Sequence, residues 1–152
     1  MRILLVCLGN ICRSPMAEGV LRQRAKERGI AIATDSAGTG DYHVGEAPDP
    51  RAQAAMRKQG MEISDLRARQ FTAKDFEHFD ILLAMDADNL RNMTRLAPDP
   101  TLAAKACLMM DFAPEHPLRE VPDPYYGGDD GFDGVFAMLD EAINLLLDGI
   151  ER

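Results

Sequence analysis

CLGNICRSP, residues 7–15, follows the apolar run RILLV of residues 2–6 and leads into a segment that ends at Gly29. The apolar run reads as a buried strand. Pro15–Arg28 reads as a helix, with Ser14 at the N-cap, Pro15 in the first helical position and Gly29 just past the end. A thiol, Cys7, therefore stands at the end of a strand, and Arg13 follows across a loop that carries glycine and asparagine. In open parallel sheets, ligands bind beyond the carboxyl ends of the strands, so this loop is the leading candidate for a site.

The rest of the chain continues the alternation. A second strand is expected at Ile30–Ser36, then a turn-rich stretch and a helix from Pro50 to Gln59, capped by Asp49 and ended by Gly60. TAKD, residues 72–75, has the form of a capping box opening a short helix. DILLAM at 80–85 reads as a strand, 86–97 as a helix and AKACLMMDF at 104–112 as a fourth strand. In the tail, Val135, Phe136, Leu139, Ile143, Leu146 and Leu147 keep the spacing of a helix over 132–150 laid on a core. Strands that are apolar throughout and alternate with helices imply an α/β fold. The expected form is a single-domain three-layer sandwich over residues 1–152, with a central four-stranded parallel sheet and helices on both faces.

Composition narrows the function classes. The 17 Lys and Arg stand against 25 Asp and Glu, a formal charge of −8, which opposes broad attraction to nucleic acid or anionic lipid. No apolar run is long enough to span a bilayer, and the N-terminus lacks the pattern of a secretory signal, so no membrane insertion and a cytoplasmic location are expected. Three scattered cysteines do not make a disulfide framework. Cys7 with Cys12 is not a convincing zinc pair either, because Cys107, His43, His78 and His116 supply no second ligand pair at usable spacing. No metal or other cofactor is expected, and no Walker-type loop is present.

The 7–15 stretch has its own chemistry. Backbone N–H groups of a tight loop that feeds a helix converge on an anion, so Leu8, Gly9, Asn10, Ile11, Cys12, Arg13 and Ser14 form a candidate phosphate cradle. Gly9 and Asn10 tolerate the unusual dihedrals it needs. The same donors, with Arg13, favour the nucleophilic thiolate of Cys7. The planar fork of Arg13 binds two phosphoryl oxygens where a lysine would offer a point charge. Ser14 could donate to the sulfur and stabilise it as a leaving group.

Cys-x5-Arg-Ser at the N-terminus, read with DPYY at 123–126, resembles the low-molecular-weight protein tyrosine phosphatase family. The resemblance runs end to end through DSAGT at 35–39, DPR at 49–51, ARQ at 68–70 and FDILLAMD at 79–86. It implies a phosphotyrosine phosphatase I-like, Rossmann-like fold. It also implies hydrolysis of phosphotyrosine in proteins, and of aryl phosphates, through a thiophosphate on Cys7. Asp-Pro alone is an ordinary turn dipeptide, but the resemblance makes Asp123 the general acid and base. Tyr42, Tyr125 and Tyr126 gather at the same sheet edge as candidate walls of the substrate cleft, with Ile11 beside them. Asn10, Ser14 and Ser36 are implied to hold the loop in shape by hydrogen bonds. Cys12 reads as a small buried residue, and the resemblance adds a redox role in which it traps oxidised Cys7 as a reversible disulfide. Members associate weakly through the active-site face, so a monomer or weak homodimer is expected.

Three rivals share features of the loop. Arsenate reductase needs two further redox cysteines where only Cys107 is available, and leaves DPYY unexplained. Protein-arginine phosphatase carries threonine where this chain has Ile11. A non-catalytic phosphoprotein-binding module predicts a missing nucleophile or acid, yet Cys7, Arg13 and Asp123 are all present. The sequence departs from the family before ARQ, where several members have a histidine and this chain has Leu66 and Arg67.

Overall fold

The computed structural model describes residues 1–152, with the side chain of Asp129 excepted. Four strands, β1 (Arg2–Cys7), β2 (Ala33–Gly38), β3 (Ile81–Ala84) and β4 (Ala106–Leu108), form one parallel sheet in the order β2-β1-β3-β4. Because side chains alternate along a strand, β1 feeds two cores. Ile3, Leu5 and Cys7 join the larger, and Leu4 and Val6 join the smaller.

The larger core lies under α1 (Arg13–Arg28), α2 (Pro50–Lys58) and α6 (Asp129–Glu151); the smaller is covered by α3 (Asp75–His78), α4 (Ala87–Thr94) and α5 (Pro100–Ala103). This is the expected three-layer sandwich. Phe132, Leu139, Ile143 and Leu147 of α6 are almost fully buried, as the spacing of apolar residues in the tail predicts. Ion pairs tie the outer edges of α1 and α6 together, with Arg24 to Asp140 at 2.8 Å and Arg28 to Asp148 at 2.8 Å. Exposed pairs of this kind contribute at most ~1 kcal/mol each, so burial of the apolar face carries the packing.

Several boundaries differ from the sequence reading. The first helix begins at Arg13, two residues early, and its N-cap is Cys12, which makes no side-chain cap hydrogen bond; Ser14 lies inside the first turn. Its hydroxyl is turned back toward Cys7 and Asn10 and cannot also cap the helix. The second strand is displaced to Ala33–Gly38, because Gly29, at φ 68°, closes the helix with its N–H on Ala25 and Lys26 carbonyls, and Ile30 still bonds back to Ala25. The fourth strand is cut to three residues, and Met109–Phe112 turns into a 3-10 helix whose start is held by Asp111 on the Leu108 N–H at 3.0 Å. The short helix α5 went unread, although Asp99 caps it at 2.8 Å on the Leu102 N–H and Pro100 follows. At TAKD only half of the capping box forms, Asp75 accepting from the Thr72 N–H at 2.9 Å.

Candidate active site

β1 delivers Cys7 to the carboxyl edge of the sheet, and residues 8–12 wrap from it into α1. Asn10 is the one non-glycine residue with positive φ, 57°, among the described residues. That left-handed turn, which asparagine tolerates, brings the Asn10 N–H to 3.3 Å from Cys7 Sγ. Gly38 permits the neighbouring strand to approach, since a Cβ there would lie 2.6 Å from the Leu8 carbonyl oxygen.

The Asn10 side chain is the brace of the loop. Its Oδ1 accepts from the Arg69 N–H at 3.0 Å, which fixes the orientation of the amide. Both Nδ2 hydrogens are then spent on Ser14 Oγ at 2.8 Å and Ser36 Oγ at 3.0 Å. Ser14 Oγ accepts from Asn10, so its own proton is free for Cys7 Sγ at 3.0 Å. The sulfur thus faces two donors, one from the backbone and one from a hydroxyl. Behind Ser36 lies Glu18, 5% exposed, whose carboxyl is pushed up by burial and drawn back by hydrogen bonds from Ser36 and Thr34. Leu66 packs on the larger core, and the backbone N–H of Arg69 supplies the partner of Asn10.

Arg13 is 3% exposed. Its Nη1 donates to Asp86 Oδ2 at 2.6 Å and to the Val121 carbonyl at 3.0 Å. Among the described residues Nε and Nη2 make no hydrogen bond, so one edge of the fork is clamped and the other is open. Burial works against its charge, yet the nearby Cys7 sulfur and Asp86 more than offset this and hold the guanidinium above its ordinary range. Asp86, which sequence reasoning missed, also caps α4, its Oδ1 accepting from the Asn89 N–H at 2.8 Å. Its signal was its position, just beyond β3 at the same sheet edge as Cys7.

Asp123 hangs over this edge. Its Oδ1 accepts from the Tyr125 N–H at 3.0 Å, and Oδ2 stands 3.7 Å from Arg13 Nη2. The segment before it is pinned by Val121 N–H on the Met85 carbonyl at 2.8 Å and by Glu120 on the Ala87 N–H at 2.7 Å.

A pocket of about 320 Å³ opens between these groups, lined by Cys7, Leu8, Gly9, Ile11, Cys12 and Arg13 at its base and by Tyr42, His43, Asp123, Tyr125 and Tyr126 at its mouth. The residues read from the sequence as nucleophile, acid and cleft therefore meet in one place with most of the cradle, while Asn10, Ser14 and Ser36 do not line the pocket and stand behind it as hydrogen-bonded braces. Tyr125 and Tyr126 pack edge to face at 4.9 Å, while Tyr126 is 94% and Tyr42 71% exposed. Tyr126 is thus no core residue. His43, another residue the sequence did not single out, bonds Glu46 at 3.0 Å through Nδ1 and lies against Gly9. Cys12 is buried, and that burial, with Asp49, Cys7 and Asp123 nearby, raises its thiol far above the ordinary range. Cys107 lies away from the pocket, pushed up to about 11 by burial and by Asp111.

A parallel α/β sandwich whose strand-end loop sets a cysteine and an arginine into one pocket, with a carboxylate above them, is a Cys-x5-Arg protein. The chain belongs to the low molecular weight phosphotyrosine protein phosphatase family, whose model matches residues 2–152. A low molecular weight protein-tyrosine-phosphatase of Streptomyces coelicolor is 44% identical over 155 residues, covering 99% of this chain and 94% of that protein. The human low molecular weight phosphotyrosine protein phosphatase is 42% identical, covering 88% of this chain and 85% of its own. A crystal structure of a protein tyrosine phosphatase from Entamoeba histolytica, with Hepes in its active site, superposes with a TM-score of 0.95 at 37% identity, over 99% of this chain and 97% of that one.

Proposed function

We propose that this protein, acting as one domain over residues 1–152, hydrolyses phosphotyrosine in proteins through a covalent intermediate on Cys7. The observation that carries the reading is the convergence of Cys7, Arg13 and Asp123 on one pocket walled by tyrosines. Cys7 Sγ attacks phosphorus in line, and the P–O bond to the aryl group breaks as Asp123 gives its proton to the leaving oxygen. The loop N–H groups and the open edge of Arg13 hold the equatorial oxygens. Asp123, now a carboxylate, takes a proton from water as that water attacks phosphorus. The S–P bond breaks, and Ser14 and the Asn10 N–H receive the charge on sulfur. Ile11 and the tyrosines accept the phenyl ring.

The test is phosphate release in EDTA from one peptide sequence carrying phosphotyrosine, phosphoserine or phosphoarginine. Release from the phosphotyrosine peptide at least ~100-fold faster than from the others is expected, because phosphoserine is too short to reach the base and a phosphoguanidinium lacks the apolar ring that packs against Ile11 and the tyrosine walls. Faster release from phosphoarginine would assign the protein to that chemistry instead.

The buried Cys12 is further read as the partner of oxidised Cys7. Peroxide converts Cys7 to a sulfenic acid, and Cys12 displaces water from it to form a disulfide that thiols reduce. Wild type is expected to regain most of its activity with dithiothreitol after a peroxide pulse, and Cys12→Ser several-fold less; equal recovery would remove the role. Three unpaired cysteines support placement in the reducing cytoplasm.

A further inference from the structure

Resting on that reading of Asp123, we infer that Arg51 is a positioning residue that indexes the acid-bearing loop on the 7–13 loop. DPR at 49–51 opens α2, and each of its polar groups is committed. The Asp49 N–H donates to the Ile11 carbonyl at 2.8 Å, joining α2 to the loop around Cys7. The Asp49 carboxylate caps α2 through the Arg51 N–H at 2.8 Å and holds the Arg51 guanidinium at 3.1 Å on Nε and 3.0 Å on Nη2. The other side of that guanidinium donates to the Tyr125 carbonyl at 2.9 Å and the Gly127 carbonyl at 3.3 Å. Its Cζ also lies 4.8 Å from the ring centroid of Phe132, which is 1% exposed on α6, and 5.5 Å from that of Tyr125.

Tyr125 joins the arginine to the acid. Arg51 holds its carbonyl, and its N–H holds Asp123 Oδ1, leaving Oδ2 as the oxygen turned toward Arg13. The path from the nucleophile loop to the acid is thus Ile11, Asp49, Arg51, Tyr125, Asp123, with a hydrogen bond at every step. A planar fork is required, because it must meet a carboxylate and two carbonyls at once, which an ammonium cannot do in one geometry. Asp49 is in turn held below the ordinary carboxylate range, Arg51 outweighing its partial burial.

If Arg51 places the acid, its loss is felt in proportion to how much the leaving group needs a proton. Phenyl phosphate needs one, and p-nitrophenyl phosphate needs it far less. Arg51→Met is expected to lower kcat/KM for phenyl phosphate roughly 30-fold, a share of the 10²- to 10⁴-fold that general acids contribute, and for p-nitrophenyl phosphate only about 3-fold. Arg51→Lys falls between, and the inhibition constant of inorganic phosphate changes less than about 2-fold in both, since the cradle is intact. In the Asp123→Asn background, Arg51→Met adds no further discrimination between the two substrates.

An equal fall on both substrates, a parallel weakening of phosphate inhibition, or full additivity with Asp123→Asn would each overturn the inference in favour of a purely structural arginine. Asp123→Asn alone separates the two levels. If it discriminates between the substrates and Arg51→Met does not, the acid reading stands and the positioning role falls; if neither does, both fall.

Discussion

Cys7→Ser is expected to turn over p-nitrophenyl phosphate in EDTA at least roughly 10⁴-fold more slowly than wild type, close to complete loss. An alcohol in place of the thiol keeps the donors that surround the atom, Ser14 Oγ and the Asn10 N–H, so the loop has no cause to collapse. What it loses is the easily ionised, polarisable nucleophile and the good leaving group that lets the intermediate break down. The variant should therefore still bind inorganic phosphate with near wild-type affinity by calorimetry. Acid-quenched wild type incubated with substrate should carry one added phosphoryl on the peptide containing Cys7, visible by mass spectrometry, and the variant none. Retained turnover would show that the sulfur is a bystander.

Arg13→Lys is expected to be the next most damaging single change, lowering kcat/KM by about 10³-fold with a loss of phosphate affinity that Cys7→Ser does not cause. The side chain is 3% exposed and clamped on one edge by Asp86 at 2.6 Å and the Val121 carbonyl at 3.0 Å. A lysine ammonium that satisfies Asp86 cannot also span two phosphoryl oxygens, and one that turns to the phosphoryl group leaves the half-buried Asp86 carboxylate short of its partner. Steady-state rates together with the phosphate inhibition constant distinguish this from a loss at Cys7. An Arg13→Lys enzyme with unchanged KM and phosphate inhibition would assign the oxyanion to the backbone alone.

Much of this site was readable because its centre is local in sequence. Cys7, Asn10, Arg13 and Ser14 lie within eight residues of one another, and strand–loop–helix geometry forces them to converge. The contacts that support Arg13 and the acid loop were not readable, because they join distant positions and no motif links them, whereas the Asn10–Ser36 brace was reached only through the family resemblance. Asp86 reaches Arg13 across 73 residues, and Arg51 reaches Tyr125 across 74. Each also fills an ordinary local role, a helix cap for Asp86 and a first-turn arginine for Arg51, which conceals the second one.

The misread boundaries share a cause. Ser14 has the propensity of an N-cap, but its hydroxyl is engaged by Asn10 and Cys7, so local preference yields to a tertiary partner. Met109 and Met110 are as buried as any strand residue yet sit in a 3-10 turn, since apolar character reports burial and not backbone shape. The parallel sheet covered on both faces and the placement of α6 followed from periodicity, where no such competition exists.

The two oxygens of Asp86 have a consequence for how this protein can change over time. One oxygen holds the start of α4 and the other holds Arg13. A substitution that removes both oxygens loses the cap and the ion pair together, and neither can be restored by a second change at only one of the two partners; asparagine keeps the cap and gives up the charge facing Arg13. The position is pleiotropic by construction. Laboratory evolution toward new phosphoesters should therefore move freely through the exposed wall at Tyr42 and Tyr126 while variants at 86 drop out of the pool early, whatever the substrate used for selection.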